Sequence, residues 1–296
     1  MTGLAVAGQS MADRLARPAL GRRRDLTDRG MRLVALVAAV LCVTPLGAVL
    51  GFVAVKGFGA LSLDLLTKAP RALGIGGGAA NAILGTLQMV PLAAALALPI
   101  GILGAVYVAE FGDRRGASIV RFAADVLVGV PSILIGIFVF TFLVLPFKQF
   151  NGFAGSVALA IIMLPVVLRT TEEALRLVPG TLREASLALG VPVWRTVLSV
   201  VLRSGMSGIL TGSMLAVARA MGETAPLLFT ALGSRLINVG NLGQPMDALP
   251  LFIYRNAGQP NEILNEQAWG VAFLLLLIVL VVNVAVRARS LGRRLG

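Results

Sequence analysis

Leu33 to Val55 runs without one charged residue, long enough as a helix to cross the roughly 30 Å hydrocarbon core of a bilayer. Asn81 to Ala109, Phe153 to Leu168 and Trp269 to Val286 are equally free of charge, and Phe122 to Leu145 and Gly208 to Leu232 carry only Asp125 in the one and Arg219 and Glu223 in the other. Backbone polar groups in lipid must be satisfied within the spanning structure, which leaves helices or closed barrels. Continuous apolar runs without period-two alternation select helices. The expected fold class is therefore all-α, a polytopic membrane protein with six transmembrane helices. The 57% hydrophobic content and mean hydropathy of +0.89 agree with a chain outside the soluble class.

The charges between the runs set the expected topology. Three lysines and 23 arginines against 14 acids give +12, and the arginines flank apolar runs instead of forming one soluble patch, so they read as a positive-inside signal and not as a nucleic-acid surface. Residues 1–32 hold seven arginines and are expected to be a basic, disordered or surface-lying cytoplasmic tail. No convincing cleavage site follows Val55, so the first run reads as an uncleaved span. The turn from Glu110 to Arg121 and the polar segment 170–207 are basic and placed in the cytoplasm, while the slightly acidic connection from Gly233 to Ala268 is placed outside. The basic end, 288–296, returns to the cytoplasm. The spanning domain covers 33–287, with both termini cytoplasmic.

Several functions are disfavoured. With Cys42 as the one cysteine, no intrachain disulfide forms, and its apolar setting suggests a small core residue. The chain has no histidine, which removes imidazole metal sites and the commonest general base. Lys56, Lys68 and Lys148 lie outside any phosphate-binding loop pattern, so ATP would be hydrolysed elsewhere. No catalytic residue and no metal site is expected.

Inside 170–207, Thr170 and Glu173 suggest one capped helix start, stopping at Pro179-Gly180, and Thr181 and Glu184 suggest a second, ended by Gly190 and Pro192. Leu182, Ala185, Ala188 and Leu189 recur at helical spacing as an apolar stripe with small residues. Such a stripe packs on the protein's own membrane domain or enters a partner's groove; periodicity leaves both open.

Arg219 and Glu223 fall within the fifth run, four residues apart on one helical face. At the bilayer centre each charge costs about 2.5–3.5 kcal/mol, so both should face protein or water. One reading is an internal ion pair that fixes packing. The other is an anion pathway, in which Arg219 offers paired planar donors to an oxyanion while Glu223 orients the guanidinium and keeps binding weak enough for release. Arg121 with Asp125 reads as an interfacial pair. Arg169 reads as a weak exit contact or a snorkelling arginine, and glycines such as Gly129, Gly136, Gly155, Gly208 and Gly212 as close-approach points between helices.

The sequence Glu184-Ala185-Ser186-Leu187-Ala188-Leu189-Gly190, followed by Gly208-Ile209-Leu210-Thr211-Gly212, resembles the EAA motif of importer-type ABC permeases. The stretch Ala218-Arg219-Ala220-Met221-Gly222-Glu223-Thr224-Ala225-Pro226-Leu227-Leu228, with Val130-Pro131-Ser132-Ile133 before it, looks like the signature of PstA-type phosphate permeases. The sister permeases share the Arg-x-x-Gly-Glu core, but Thr-Ala-Pro-Leu-Leu favours the PstA type. The resemblance implies a type I importer permease fold, with a cytoplasmic coupling helix between spans four and five whose ATPase contacts are Glu184, Ala185, Ala188, Leu189 and Gly190. It implies a phosphate path involving Arg219, Glu223 and Thr224, and more weakly Arg169. It also implies a heterodimer with a sister permease in the inner membrane, two ATPase subunits that bind the ATP and magnesium, and an extracytoplasmic phosphate-binding protein. The chain itself binds no cofactor. Arg203 departs from the family, which usually has a kinking proline there. A permease for sulfate, molybdate or phosphonate, a membrane-embedded enzyme and a non-transporting scaffold are the other readings.

Overall fold

The computed structural model describes residues 11–71, 76–112 and 115–292, with side chains from residue 27 except 287 and 289–292. The chain divides into two compact units, one ending at Ala54 and the other starting at Val55. The first is a helix, α1 (Met11–Ala60), that runs on into the second unit. The tail expected to be disordered or surface-lying is helical from Met11, because its Ala, Leu and Arg residues are strong helix formers. Residues 1–10 lie outside the described range, as do 293–296 of the C-terminal tail. Cys42, expected to be a core residue, is exposed on α1. The whole apolar window of this helix is accessible.

The second unit begins with the end of α1 and the short α2 (Leu63–Thr67), capped by the Ser62 hydroxyl accepting from the Leu65 N–H at 3.1 Å. Then come α3 (Ala80–Glu110), α4 (Arg115–Gly129), α5 (Ser132–Val139) with a π-helical turn over Phe140–Val144, and α6 (Gly152–Arg176). After α7 (Gly180–Ala188), α8 (Val193–Thr196) runs through a π turn at Val197–Val201 into α9 (Leu202–Met221). The chain closes with α10 (Ala225–Thr230), α11 (Leu249–Asn256) and α12 (Glu262–Gly292). Among the described residues, five helices are long and apolar enough to cross a membrane, and α4 with α5 supplies a sixth crossing only as a pair bent by 104°.

The third span, expected over Phe122 to Leu145, is this bent pair. Pro131 has no N–H and disfavours the α conformation at Val130, so the helix stops at Gly129 and restarts after the proline. The fifth span is corrected. It begins earlier, at Val193, and its helix ends at Met221 with Gly222 as C-cap, so Arg219 lies in the last turn and Glu223 beyond it. The expected capped start at Thr170 is absent because α6 passes straight through it. Thr170 donates to the Val166 carbonyl at 2.8 Å, as a mid-helix threonine does. The Thr181 box is not formed either: α7 starts one residue earlier behind Pro179, with no side-chain cap. Its expected end is observed, with Gly190 left-handed at φ 77° and the Val191 N–H donating to the Ser186 carbonyl at 3.2 Å.

α6 is the centre of the unit, with 67% of its apolar window buried. Leu159, Met163 and Val167 pack with Met89, Val90 and Ala97 of α3, Ala216 and Ala220 of α9, and Leu227 of α10. Small residues let these helices approach closely: a methyl at Gly212 would strike the Thr170 side chain, and one at Gly136 would strike the Pro226 backbone. Gly129, expected to be another close-approach point, has nothing within 4 Å of an added Cβ; it marks the bend instead. At the opposite end from α7, the connection before α11 is pinned by Asp247, whose carboxylate pairs with Arg255 and accepts from Asn81 Nδ2 at 3.0 Å. Burial pushes the Asp247 carboxyl above the usual carboxylate range, with the Arg255 charge pulling the other way.

Candidate functional site

The break in the third span and the end of α9 meet in one cleft. Its volume is about 270 Å³, and its lining includes Gly129, Pro131 and Ser132 at the break, Ile162 and Pro165 of α6, and Arg219 with Glu223. Each part follows from local sequence. Pro131 both ends α4 and opens α5, so the first N–H groups of α5 are left without helical acceptors beside the cleft. Gly222 ends α9 and lets the chain turn, and Thr224 then starts α10.

Arg219 is 54% exposed and Glu223 18%, with Nε and Oε1 3.8 Å apart. That separation is too long for a hydrogen bond, so the pair is held by charge and the guanidinium donors stay presented to the cleft. The positive end of α5 adds to the field of Arg219, and the Glu223 carboxylate partly offsets it. An oxyanion that must shed water fits such a set of donors, and the nearby carboxylate limits how tightly it is held.

The other expected site residues are placed differently. Thr224 stands at the N-cap position of α10 without a side-chain cap and is not among the cleft-lining residues. Arg169 is also outside the cleft: its guanidinium is taken up by Asp125, with Nε to Oδ1 at 2.9 Å, and by Glu172 at 3.3 Å. Arg121 and Asp125 do not pair with each other as expected, because α4 packs against α6 and each finds a partner there, Arg121 on Glu172 at 3.0 Å and Asp125 on Arg169. Along the sequence Val130, Pro131 and Ser132 are marked by the family resemblance alone, and Gly129 as a close-approach glycine. The signal that could have found them is the Gly129-Val130-Pro131 breaker inside an apolar run.

On α7 the stripe is free of the protein's own bundle. Leu182, Glu184, Ala185, Ala188 and Gly190 are exposed, and Leu189 is 83% exposed. The inward face is made by Ser186, whose hydroxyl lies 2.9 Å from that of Thr196, and by Arg183, which donates to Glu110 at 2.9 Å and to the Leu175 carbonyl at 3.0 Å. No proline is needed at Arg203 for a deformation, since the π turn at Val197–Val201 lies just before it and Arg203 is exposed.

A bundle of spanning helices with one broken crossing, a charged cleft at the break and a short helix displaying an apolar face defines the permease subunit of a type I ABC importer. The chain belongs to the family of binding-protein-dependent transport system inner membrane components, whose model matches residues 97–292. It is 44% identical over 233 residues to the phosphate transport system permease protein PstA of Haemophilus influenzae, covering 78% of this chain and 82% of that one. With PstA of Xylella fastidiosa the identity is 41% over 278 residues, covering 93% and 96%. The fold is also that of the inward-facing MetNI methionine ABC transporter, at 20% identity and a TM-score of 0.59, over 72% of this chain and 94% of that one. The chain is thus a multi-pass inner-membrane component, a transport subunit and not an enzyme.

Proposed function

We propose that this chain is the PstA-type permease subunit of an ATP-driven phosphate importer, with the anion passing the cleft that holds Arg219 and Glu223. The observation that carries this reading is the meeting of Arg219 with the broken third span, in a chain that shares 41% of its residues with a phosphate permease over nearly its whole length. Arg219 contacts the anion through paired donors, and Glu223 orients the guanidinium and weakens the hold enough for release.

The path is completed by a sister permease in a heterodimer. A phosphate-binding protein delivers the anion from outside, and two ATPase subunits on the cytoplasmic side bind ATP and magnesium. Their stroke is received by α7 through Leu182, Glu184, Ala185, Ala188, Leu189 and Gly190. Both termini and α7 are cytoplasmic, in keeping with the arginines beside those segments. Phosphate uptake into vesicles carrying the assembled complex tests the assignment. Arg219→Gln is expected to assemble with its partners and abolish uptake; normal uptake by that variant, or wild-type uptake of sulfate or molybdate in place of phosphate, would refute it.

A further inference from the structure

Glu172 lies near the end of α6 and is 3% exposed, yet three guanidinium groups converge on it. Oε1 accepts from Arg121 of α4 through Nε at 3.1 Å and lies 2.8 Å from Arg176 Nη2, and Oε2 accepts from Arg169 Nη1 at 3.3 Å. Arg169 spans the same helix junction in the other direction, onto Asp125 of α4. Two cross-helix pairs of opposite polarity therefore hold one turn of α4 against one turn of α6. Arg121 opposes Glu172, and Asp125 opposes Arg169. Sliding α4 by one turn in either direction would set like charges together, so the register is fixed by charge as well as by packing.

What lies at each end of this clamp gives it a role. α4 leads in two turns to Gly129 and the break that lines the cleft. α6 leads through Leu177–Pro179 to α7, and Arg183 of α7 reaches back to the Leu175 and Val178 carbonyls and across to Glu110 at the end of α3. The connection from α7 to α6 is thus stapled on both sides. We propose that Glu172 is a positioning residue that makes α4, and with it the broken edge of the cleft, follow α6 when α7 is displaced. It acts through Arg121 and Arg169 and does not touch the transported anion. This rests on the reading of α7 as the ATPase-driven helix of a phosphate permease.

The test uses the complete complex with sister permease, ATPase and phosphate-binding protein in one vesicle preparation, where phosphate uptake and ATP hydrolysis are read together. Glu172→Gln keeps the side-chain shape and removes the charge. It is expected to assemble and to hydrolyse ATP near the wild-type rate, while phosphate moved per ATP falls by about fivefold or more. Asp125→Asn removes the second cross-helix pair, leaves Glu172 with Arg121 and Arg169, and is expected to lose part of the same ratio. An unchanged ratio in Glu172→Gln, or a proportionate loss of uptake and hydrolysis, would overturn the clamp. Should Glu172→Gln fail to assemble, Asp125→Asn decides alone, and an unchanged ratio there would overturn it. A wild-type complex that moves no phosphate would overturn the functional reading instead.

Discussion

Gly136 sits where α5 crosses the start of α10, and the geometry there allows the effect of one methyl group to be worked out. A Cβ at this position would lie 2.7 Å from the Pro226 Cα and 3.1 Å from its carbonyl oxygen. Both are backbone atoms that cannot rotate away, so α5 and α10 would have to separate by about 0.7 Å to restore ordinary contact. Overpacking of this kind costs about 1–3 kcal/mol. The gain of a residue with better helix propensity returns about 0.5–1 kcal/mol. Gly136→Ala is therefore expected to lower the melting temperature of the purified complex by a few degrees, at roughly 2–4 °C per kcal/mol. The separation also moves Ser132 away from Glu223, since Pro226 is three residues from Glu223 and Gly136 one turn from Ser132. Misplacement approaching 1 Å at such a site costs up to about 100-fold in rate, so phosphate uptake is expected to fall more than stability does. Gly30→Ala, which adds a methyl to open space on α1, is the comparison and should leave uptake unchanged. Wild-type uptake and melting in Gly136→Ala would refute the claim that this crossing sets the width of the cleft.

Arg255→Met leaves the buried Asp247 carboxylate without its charge partner and is expected to destabilise the protein by about 3–5 kcal/mol in thermal melts at neutral pH. Because burial raises the folded-state pKa of Asp247 above its unfolded value, the group favours folding while protonated and loses that contribution as pH rises through the folded pKa. The Arg255→Met variant should accordingly regain stability as pH is lowered, and a flat pH profile would count against it. Leu189→Glu puts a charge on the exposed apolar face of α7 and is expected to abolish co-purification of the ATPase while the permease pair still assembles. Arg203→Pro should cost less than the roughly 3 kcal/mol of a proline inside a regular helix, because the π turn at Val197–Val201 already interrupts the ladder just before it; a larger fall in melting would show that this ladder is intact.

Much of this molecule is legible along the chain because spanning a bilayer is a local requirement. Each span must satisfy its own backbone within about 20 apolar residues, so Leu33–Val55, Asn81–Ala109 and Trp269–Val286 could be placed by reading forward, and α1, α3 and α12 contain them. The end of α7 was equally local, since Gly190 takes the left-handed conformation that a closing turn asks for. Arg219 and Glu223 could be singled out by cost alone, charges in an apolar run being too expensive to face lipid. What the chain could not decide was every feature that depends on a partner far away in sequence. A carboxylate pairs with whichever guanidinium the packing brings near. Arg121 therefore meets Glu172, 51 residues away, and not the Asp125 one turn along. The threonines at 170 and 181 have the residue types of helix caps but no free helix start to cap, because tertiary packing carries α6 through the first and Pro179 starts α7 before the second. Above all, the meeting of Arg219 with the break at Pro131 exists only because α5 rests on α10 and both pack on α6. Sequence placed the charge within a span, and only the packed bundle gave it a cleft to face.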